Sequence, residues 1–181
     1  LKLVGLKLYP CYDHYAPNDW ELTYALFAKA QELGILVMVH QASTPVIDAP
    51  LEFGRPFLLD AVGRKFPDLR VLVCHAGLPW VDENLVLVAK HPNFYMDVSY
   101  MNSVYTRRDM YNFLLKAKAF GLPYSKICWG TDYPGFEFPD TLLPKFRTVN
   151  EEARATGGPE IPEEEITKML GRNFMIAAGL K

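Results

Sequence analysis

Three side chains that can bind metals and transfer protons stand at the ends of strongly apolar runs. His40 ends the run over residues 35–40, His75 ends the run over 70–75, and Asp132 ends the run over 126–132. A carboxylate buried without a partner is costly, so Asp132 needs a hydrogen bond, an ion pair or a metal. Imidazole and carboxylate groups are the ligands of catalytic zinc sites. The three residues therefore predict a divalent-metal site, provided that the fold brings them together.

Each of these residues also has an ordinary structural explanation. A histidine at a strand end is commonly a hydrogen-bonded core or loop residue, and an aspartate after Gly-Thr is a common turn residue. The same placement recurs at three separate strand ends, however, which favours a joint functional role.

Four further residues are candidates for substrate binding. Lys7 lies inside the first apolar run, where a lysine needs either an ion pair, with Asp97 as the candidate, or a substrate carboxylate. His14 lies in the following loop, where it could contact substrate or remain solvated. Trp80 and Tyr133 follow strand ends and could form the wall of an aromatic pocket.

The elements that must position these residues alternate regularly along the chain. Apolar runs of strand length begin near residues 3, 35, 70, 94 and 126, and segments of helical period lie between them. This pattern predicts an α/β fold of about five consecutive parallel βα units in a single domain over residues 1–181. Both a doubly wound sheet and part of a (β/α)8 TIM barrel satisfy it. The absence of a glycine-rich phosphate loop favours the partial barrel.

The amino-acid composition limits the classes of partner that the protein is expected to bind. The chain has 181 residues, 50% of them hydrophobic, and a net charge of −2. No run of basic residues indicates nucleic-acid binding, and no apolar stretch has the length of a membrane span. Three cysteines without CxxC spacing favour reduced thiols over a disulfide framework. We therefore expect a cytoplasmic protein that acts on a small molecule and binds neither nucleic acid nor membrane.

Five short motifs lie at residues 5–8, 39–40, 74–77, 92–99 and 130–134. In order and spacing they resemble strands four to eight of the amidohydrolase-related branch of the amidohydrolase superfamily. That branch includes aminocarboxymuconate-semialdehyde decarboxylase and related metal-dependent TIM-barrel hydrolases.

The resemblance implies a role for each candidate residue. His40 resembles the metal-binding histidine of strand five, and Asp132 resembles the strand-eight aspartate that binds metal and carries a proton. His75 resembles the strand-six histidine that polarises or protonates substrate. Lys7 falls at the strand-four position that some relatives carboxylate to bridge two metals. The implied cofactor is one divalent metal, zinc or manganese, in the complete enzyme.

The chain departs from the family pattern in one respect. The His-x-His pair of strand one has no counterpart in the sequence. We therefore expect strands one to three to be missing from the chain. Because a partial barrel leaves open strand edges, we also expect a homodimer or association with the missing N-terminal part.

The expected activity is that of a metal-dependent hydrolase acting on a small carboxylated or cyclic substrate. A metal-activated water and acid–base chemistry by Asp132 and His75 would carry the reaction. One alternative is a nonhydrolytic decarboxylase of an aromatic or muconate-like acid. Another is a noncatalytic fragment or module that binds a partner through its open strand edges.

Overall fold

The computed structural model describes residues 3–180. Five strands form one sheet in the order β1-β2-β3-β4-β5, and every neighbouring pair is parallel. Sequential strands are therefore spatial neighbours, as the repeated βα pattern predicted. The strands are β1 (Gly5–Leu8), β2 (Leu36–Val39), β3 (Val71–Val73), β4 (Phe94–Asp97) and β5 (Ile127–Cys128).

Helices connect the strands and continue after the last one. Among residues 3–180, none combines the length and apolar character needed to cross a bilayer. The helices are α1 (Trp20–Leu33), α2 (Leu58–Lys65), α3 (Val81–Lys90), α4 (Ser99–Val104), α5 (Arg107–Ala119), α6 (Pro139–Arg147), α7 (Asn150–Thr156), α8 (Glu163–Thr167) and α9 (Asn173–Ala177). Short 3-10 turns cover Leu51–Gly54, Cys74–Gly77 and Tyr124–Lys126, and a π-helical turn covers Lys168–Arg172.

The first helix begins and ends where its sequence indicates. The Asp19 side chain accepts a hydrogen bond from the Glu21 amide at the start of α1. Gly34 ends the helix in the left-handed conformation, with φ of 62°.

Three of the helical segments are divided in the structure. The segment over residues 51–66 is a 3-10 turn followed by α2, because Arg55 precedes Pro56 and adopts an extended conformation. The segment over residues 139–156 is divided into α6 and α7. The last segment contains a π-helical turn between α8 and α9. Such internal breaks depend on local backbone geometry that the apolar pattern does not reveal.

Apolar side chains pack on both faces of the sheet. Val37, Val39 and Val73 belong to the main core cluster, which includes residues of the connecting helices. The neighbouring residues Leu36 and Leu72 belong to a smaller cluster on the other face. That cluster also contains Cys128 and Ala178, and Phe174 packs against it, so the end of the chain covers part of this face. All three cysteines are buried free thiols.

The two edges of the sheet differ. At β5, the Trp129 amide donates to the Met169 carbonyl over 2.8 Å, and the Asn173 side-chain amide donates to the Ile127 carbonyl over 2.8 Å. The carboxyl-terminal segment thus satisfies backbone groups along the outer side of β5. Strand β1 pairs only with β2 within residues 3–180.

Candidate active site

A cavity of about 380 Å³ lies at the carboxyl ends of the strands. The structure brings together here the three residues that the sequence singled out, His40, His75 and Asp132. The other lining residues are Tyr12, Ser43, Thr44, Pro45, Tyr100 and Phe136.

The three residues lie in the loops just beyond the strands rather than on the strands themselves. His40 directly follows β2, His75 lies in the 3-10 turn after β3, and Asp132 lies in the loop after the short strand β5. His75 and Asp132 have left-handed backbones, with φ of 61° and 59°. This conformation is unfavourable for residues with a side chain and is enriched at functional sites. The strand ends that the sequence predicted are therefore short, and tight turns re-aim the side chains.

The two histidines belong to a buried hydrogen-bonded chain. The Nε2 atom of His75 lies 3.1 Å from the Nδ1 atom of His40. The Nδ1 atom of His75 lies 2.7 Å from the Ser99 hydroxyl. That hydroxyl donates to the Asp97 carboxylate. Asp97 also accepts from the backbone amides of His75, over 3.0 Å, and of Ser99, over 2.9 Å. The chain thus links β4 to the loops after β2 and β3.

Burial and neighbouring charges set the ionisation of this chain. Burial, followed by the proximity of His75 and Lys7, lowers the pKa of His40 to about 4. Burial also lowers the pKa of His75, although the Asp97 and Asp132 carboxylates oppose it. For Asp97, burial would raise the pKa, but the proximity of His75 and the hydrogen bonds from Ser99 and from the His75 amide outweigh it and lower the pKa. At neutral pH the imidazoles are therefore neutral and Asp97 is ionised.

Sequence reasoning assigned no site role to Asp97 or Ser99. In the structure Asp97 ends β4 and Ser99 begins α4. Two polar residues at the end of an apolar run are a sequence signal that could have marked them as site candidates. Their connection to His75 depends on tertiary structure and could not be read from spacing.

Lys7 lies at a second cavity, of about 310 Å³, that shares His75 and Asp132 with the first. Its Nζ atom donates to the Cys74 sulfur over 2.8 Å and lies 5.1 Å from the centre of the Tyr9 ring. The ion pair with Asp97 that we considered is not formed. Burial raises the pKa of the Cys74 thiol, so the ammonium group contacts a neutral sulfur at neutral pH.

The remaining substrate-binding candidates line neither cavity. His14 is exposed in the first loop. Trp80 packs near the Arg55 guanidinium, 6.0 Å from its ring centre. Tyr133 is 52% exposed and packs against Phe138, with ring centres 5.0 Å apart. Their role in substrate binding remains a prediction.

Two donors at the cavity suit a divalent metal. The Nε2 atom of His40 is buried and forms no hydrogen bond of ordinary geometry, which leaves a ring nitrogen for a metal, although the Ser43 carbonyl lies near enough to raise the pKa of the ring. Asp132 lines the same cavity. Within residues 3–180, however, no group of three or more His, Cys, Asp or Glu side chains is placed to hold a metal. The described residues thus offer two suitable donors and an incomplete site.

Solved structures resemble this fold along nearly the whole chain. An uncharacterised TIM-barrel protein from Bordetella bronchiseptica has a TM-score of 0.70 at 23% identity, over 98% of this chain and 58% of that chain. Dihydroorotase from Campylobacter jejuni has a TM-score of 0.64 at 20% identity, over 99% and 60%. A dihydroxybenzoic acid decarboxylase from Polaromonas, solved with bound manganese and 2-nitroresorcinol, has a TM-score of 0.57 at 17% identity, over 91% and 55%.

These similarities establish the architecture. The chain spans about three fifths of the length of these structures, and its five βα units correspond to part of a TIM barrel. The predicted fold class is therefore confirmed.

A search of curated proteins found no match. The family model described as Amidohydrolase matches residues 1–173, which is nearly the whole sequence. The matched region contains His40, His75 and Asp132, the three residues that meet at the cavity. The chain belongs to the amidohydrolase family.

Proposed function

We propose that the chain carries the larger part of the active site of a metal-dependent hydrolase acting on a small carboxylated or cyclic substrate. The observation that carries this proposal is the meeting of His40, His75 and Asp132 at one cavity, although they follow three different strands. Family membership supports an enzymatic role. A bound divalent metal would supply an activated water or polarise a substrate oxygen.

His40 and Asp132 are the residues that would hold this metal. The partnerless Nε2 atom of His40 supports its assignment as a ligand, and zinc and manganese both accept imidazole and carboxylate donors. The manganese in the Polaromonas decarboxylase supports a divalent ion. The further donors would come from outside residues 1–181, either from an N-terminal part that completes the barrel or from a second copy.

His75 and Asp132 would carry the acid–base chemistry. Because His75 is neutral at neutral pH, it can stabilise developing negative charge only through a hydrogen bond, not as a fixed cation. Asp132 lines both cavities and can take a proton and return it to the leaving group.

The cavity indicates a small substrate. Its volume of about 380 Å³ is near the lower end for ligand pockets. Hydroxyl groups of Ser43 and Thr44 provide polar contacts on one side. The Lys7 ammonium at the adjoining cavity is available for a substrate carboxylate.

The aromatic walls favour a second candidate, a decarboxylase of aromatic acids. Tyr100 and Phe136 pack with ring centres 4.7 Å apart, and Tyr12 packs on His40 at 5.2 Å. All of these side chains line the 380 Å³ cavity, where they would stack on a planar ring.

Turnover in the complete gene product distinguishes the two activities. Hydrolysis of cyclic amides or lactones without release of carbon dioxide from hydroxybenzoates supports the first, and the reverse supports the second. Asp132→Asn should lower kcat/KM by about a hundred- to ten-thousand-fold. The exposed carboxylate Asp68 provides the control, and Asp68→Asn should leave turnover unchanged. Activity that survives in Asp132→Asn would contradict the assignment, and an inert protein on both panels would favour a binding module.

A further inference from the structure

Helix α4 supports the loop that carries Asp132. The side-chain amide of Asn102, a residue of α4, donates a hydrogen bond to the Gly130 carbonyl over 2.7 Å. A carbonyl oxygen only accepts, so the contacting atom of Asn102 is its amide nitrogen. Gly130 lies just beyond the end of β5, two residues before Asp132. The backbone that leads to Asp132 is thus held from the neighbouring βα unit.

The backbone around Asp132 needs such support. Asp132 has a left-handed conformation with φ of 59°. A residue with a side chain adopts this conformation at a cost and stays in it only where its surroundings impose it. A Cβ atom at Gly130 would approach the Cβ atom of Ser99 to 3.2 Å, so the loop after β5 passes close against α4. Close packing and the hydrogen bond from Asn102 together fix the chain before its left-handed turn.

The other polar atom of Asn102 argues against a purely stabilising role. Asn102 is 1% exposed, and its Oδ1 atom is buried without a hydrogen-bond partner among residues 3–180. A buried oxygen without a partner costs free energy, which opposes the gain from the contact with Gly130. The net contribution of this side chain to stability is therefore small, and its main effect is to fix the position of the loop.

Further contacts hold the chain between β5 and α6 against α4. The Tyr100 ring packs against the Phe136 ring, with centres 4.7 Å apart. Lys145 in α6 donates to the Tyr105 carbonyl over 2.8 Å and also to the Asn102 carbonyl. These carbonyls lie at the carboxyl end of α4, where helical carbonyl groups lack partners within the helix. Helix α4 is thus the support for the whole segment that follows β5.

We propose that Asn102 is a positioning residue that fixes the backbone of the loop after β5 and thereby places the Asp132 carboxylate in the cavity. This role deepens the proposed function on which it rests, because Asp132 is the residue to which we assign metal binding and proton transfer. Asn102 lines neither cavity, so it acts only through the loop.

Hydrogen–deuterium exchange of the complete gene product tests this role without substrate or metal. The Tyr133 amide donates to the Thr131 hydroxyl over 3.3 Å. The Gly135 amide donates to the Asp132 carbonyl over 2.9 Å. Exchange of these two amides therefore reports opening of the loop. We expect slower exchange in the unaltered protein than in a free peptide of the same sequence. Equal rates would overturn the proposal, and this comparison requires no variant.

Variants of Asn102 separate positioning of the loop from general stability. Asn102→Ala removes the donor and should accelerate loop exchange by about tenfold, with little change elsewhere. Asn102→Leu keeps more of the side-chain volume and should have the same effect, so it replaces the first variant if that one fails to fold. Unchanged loop exchange in both variants, or an acceleration spread over the whole molecule, would contradict the proposal.

Asn84 provides the matched control. It is fully buried and its Oδ1 atom also lacks a hydrogen-bond partner among residues 3–180, but its amide contacts the Met96 sulfur instead of the loop. Asn84→Ala should leave loop exchange unchanged. An acceleration equal to that of Asn102→Ala would show that the loop responds to any loss of a buried amide and would overturn the specific role of Asn102.

Binding of Mn²⁺ to the metal-free gene product separates this proposal from the proposed function. A displaced carboxylate should weaken Mn²⁺ binding by about ten- to a hundredfold in Asn102→Leu, as is typical when a residue that orients a ligand is lost. Faster loop exchange in Asn102→Leu, in a protein that binds no Mn²⁺ even when unaltered, would support the role of Asn102 and count against the metal site. Equal Mn²⁺ affinity in the two proteins would support the metal site and overturn the role of Asn102.

Discussion

Asp60 is an acceptor for three basic side chains, and two of them, Lys90 and His91, connect α2 to the end of α3. Its carboxylate contacts Lys90, His91 and Arg64, the last over 3.1 Å. Hydrogen bonds from Lys90 and then His91 lower the pKa of Asp60 from 3.8 to about 2. Since the folded-state pKa is depressed, the stabilisation is fully present above pH 3.8 and is lost as pH falls towards 2.

Asp60→Asn should therefore destabilise the protein at neutral pH and reduce the acid dependence of its stability. We expect a loss of about 1 kcal/mol in the free energy of unfolding at pH 7, after allowance for solvent screening. The difference from the unaltered protein should shrink below pH 4. Urea unfolding at pH 7, 4 and 3 measures it.

Asp68 is a suitable control because it forms no ion pair within the described part of the chain. Asp68→Asn should leave the acid dependence unchanged. A constant effect of Asp60→Asn across this pH range would contradict the ion-pair explanation.

Single residues show how far sequence reasoning reached. That His40, His75 and Asp132 meet at one cavity could be predicted, because each follows a parallel strand and the carboxyl ends of such strands share one edge of the sheet. The left-handed backbones of His75 and Asp132 could not be predicted, since that conformation usually belongs to glycine or asparagine. The Asp97–Ser99 link to His75 joins residues 22 and 24 positions apart, which only the folded sheet brings into contact.

Helix α2 packs so closely against the end of α3 that it requires a glycine. A Cβ atom at Gly63 would lie 2.6 Å from the Nδ1 atom of the buried His91 ring. Gly63→Ala should therefore lower the free energy of unfolding by about 1–3 kcal/mol, despite the higher helix propensity of alanine. Thermal or urea unfolding measures this loss.

Gly171 provides the matched control, because it is also helical and a Cβ atom there would meet nothing within 4 Å. Gly171→Ala should stabilise the protein by up to about 1 kcal/mol. Equal effects of the two substitutions would show that packing against His91 does not decide the outcome.

The order and type of the strands could be predicted because continuously apolar runs separated by helical segments permit few arrangements. The residues at which strands and helices end were harder to predict from the sequence. Strand β5 has two residues where the apolar run indicated seven, because the chain leaves the sheet after Cys128 and turns towards the cavity. Such a departure is determined by contacts of the following loop rather than by hydrophobicity.

At the scale of the whole molecule, the open edge at β1 is the feature with the clearest consequence. Leu3, which precedes β1, is 64% exposed, and Val4 is 53% exposed. An unpaired strand beside exposed apolar residues promotes association between chains. We expect purified chains of 181 residues to self-associate in a concentration-dependent manner.

Leu3→Lys should weaken this association by placing a charge beside the edge, as sedimentation velocity over a range of concentrations would show. Leu22→Lys is the matched control, since Leu22 is also 64% exposed but lies on α1. A chain that remains monomeric at every concentration, or equal effects of both substitutions, would contradict a role for the edge.

Sequence reasoning also predicted that the barrel is incomplete, because the strand-one ligand pair is lacking. The structures that the fold resembles are longer, and this chain spans about three fifths of them.

The metal content of the complete gene product tests the central claim most directly. Elemental analysis after exhaustive dialysis should find one divalent metal ion per chain in the unaltered protein. His40→Asn and Asp132→Asn should each lose it, and Asp68→Asn should retain it. A metal-free protein that turns over substrate, or full metal content in His40→Asn and Asp132→Asn, would contradict the account.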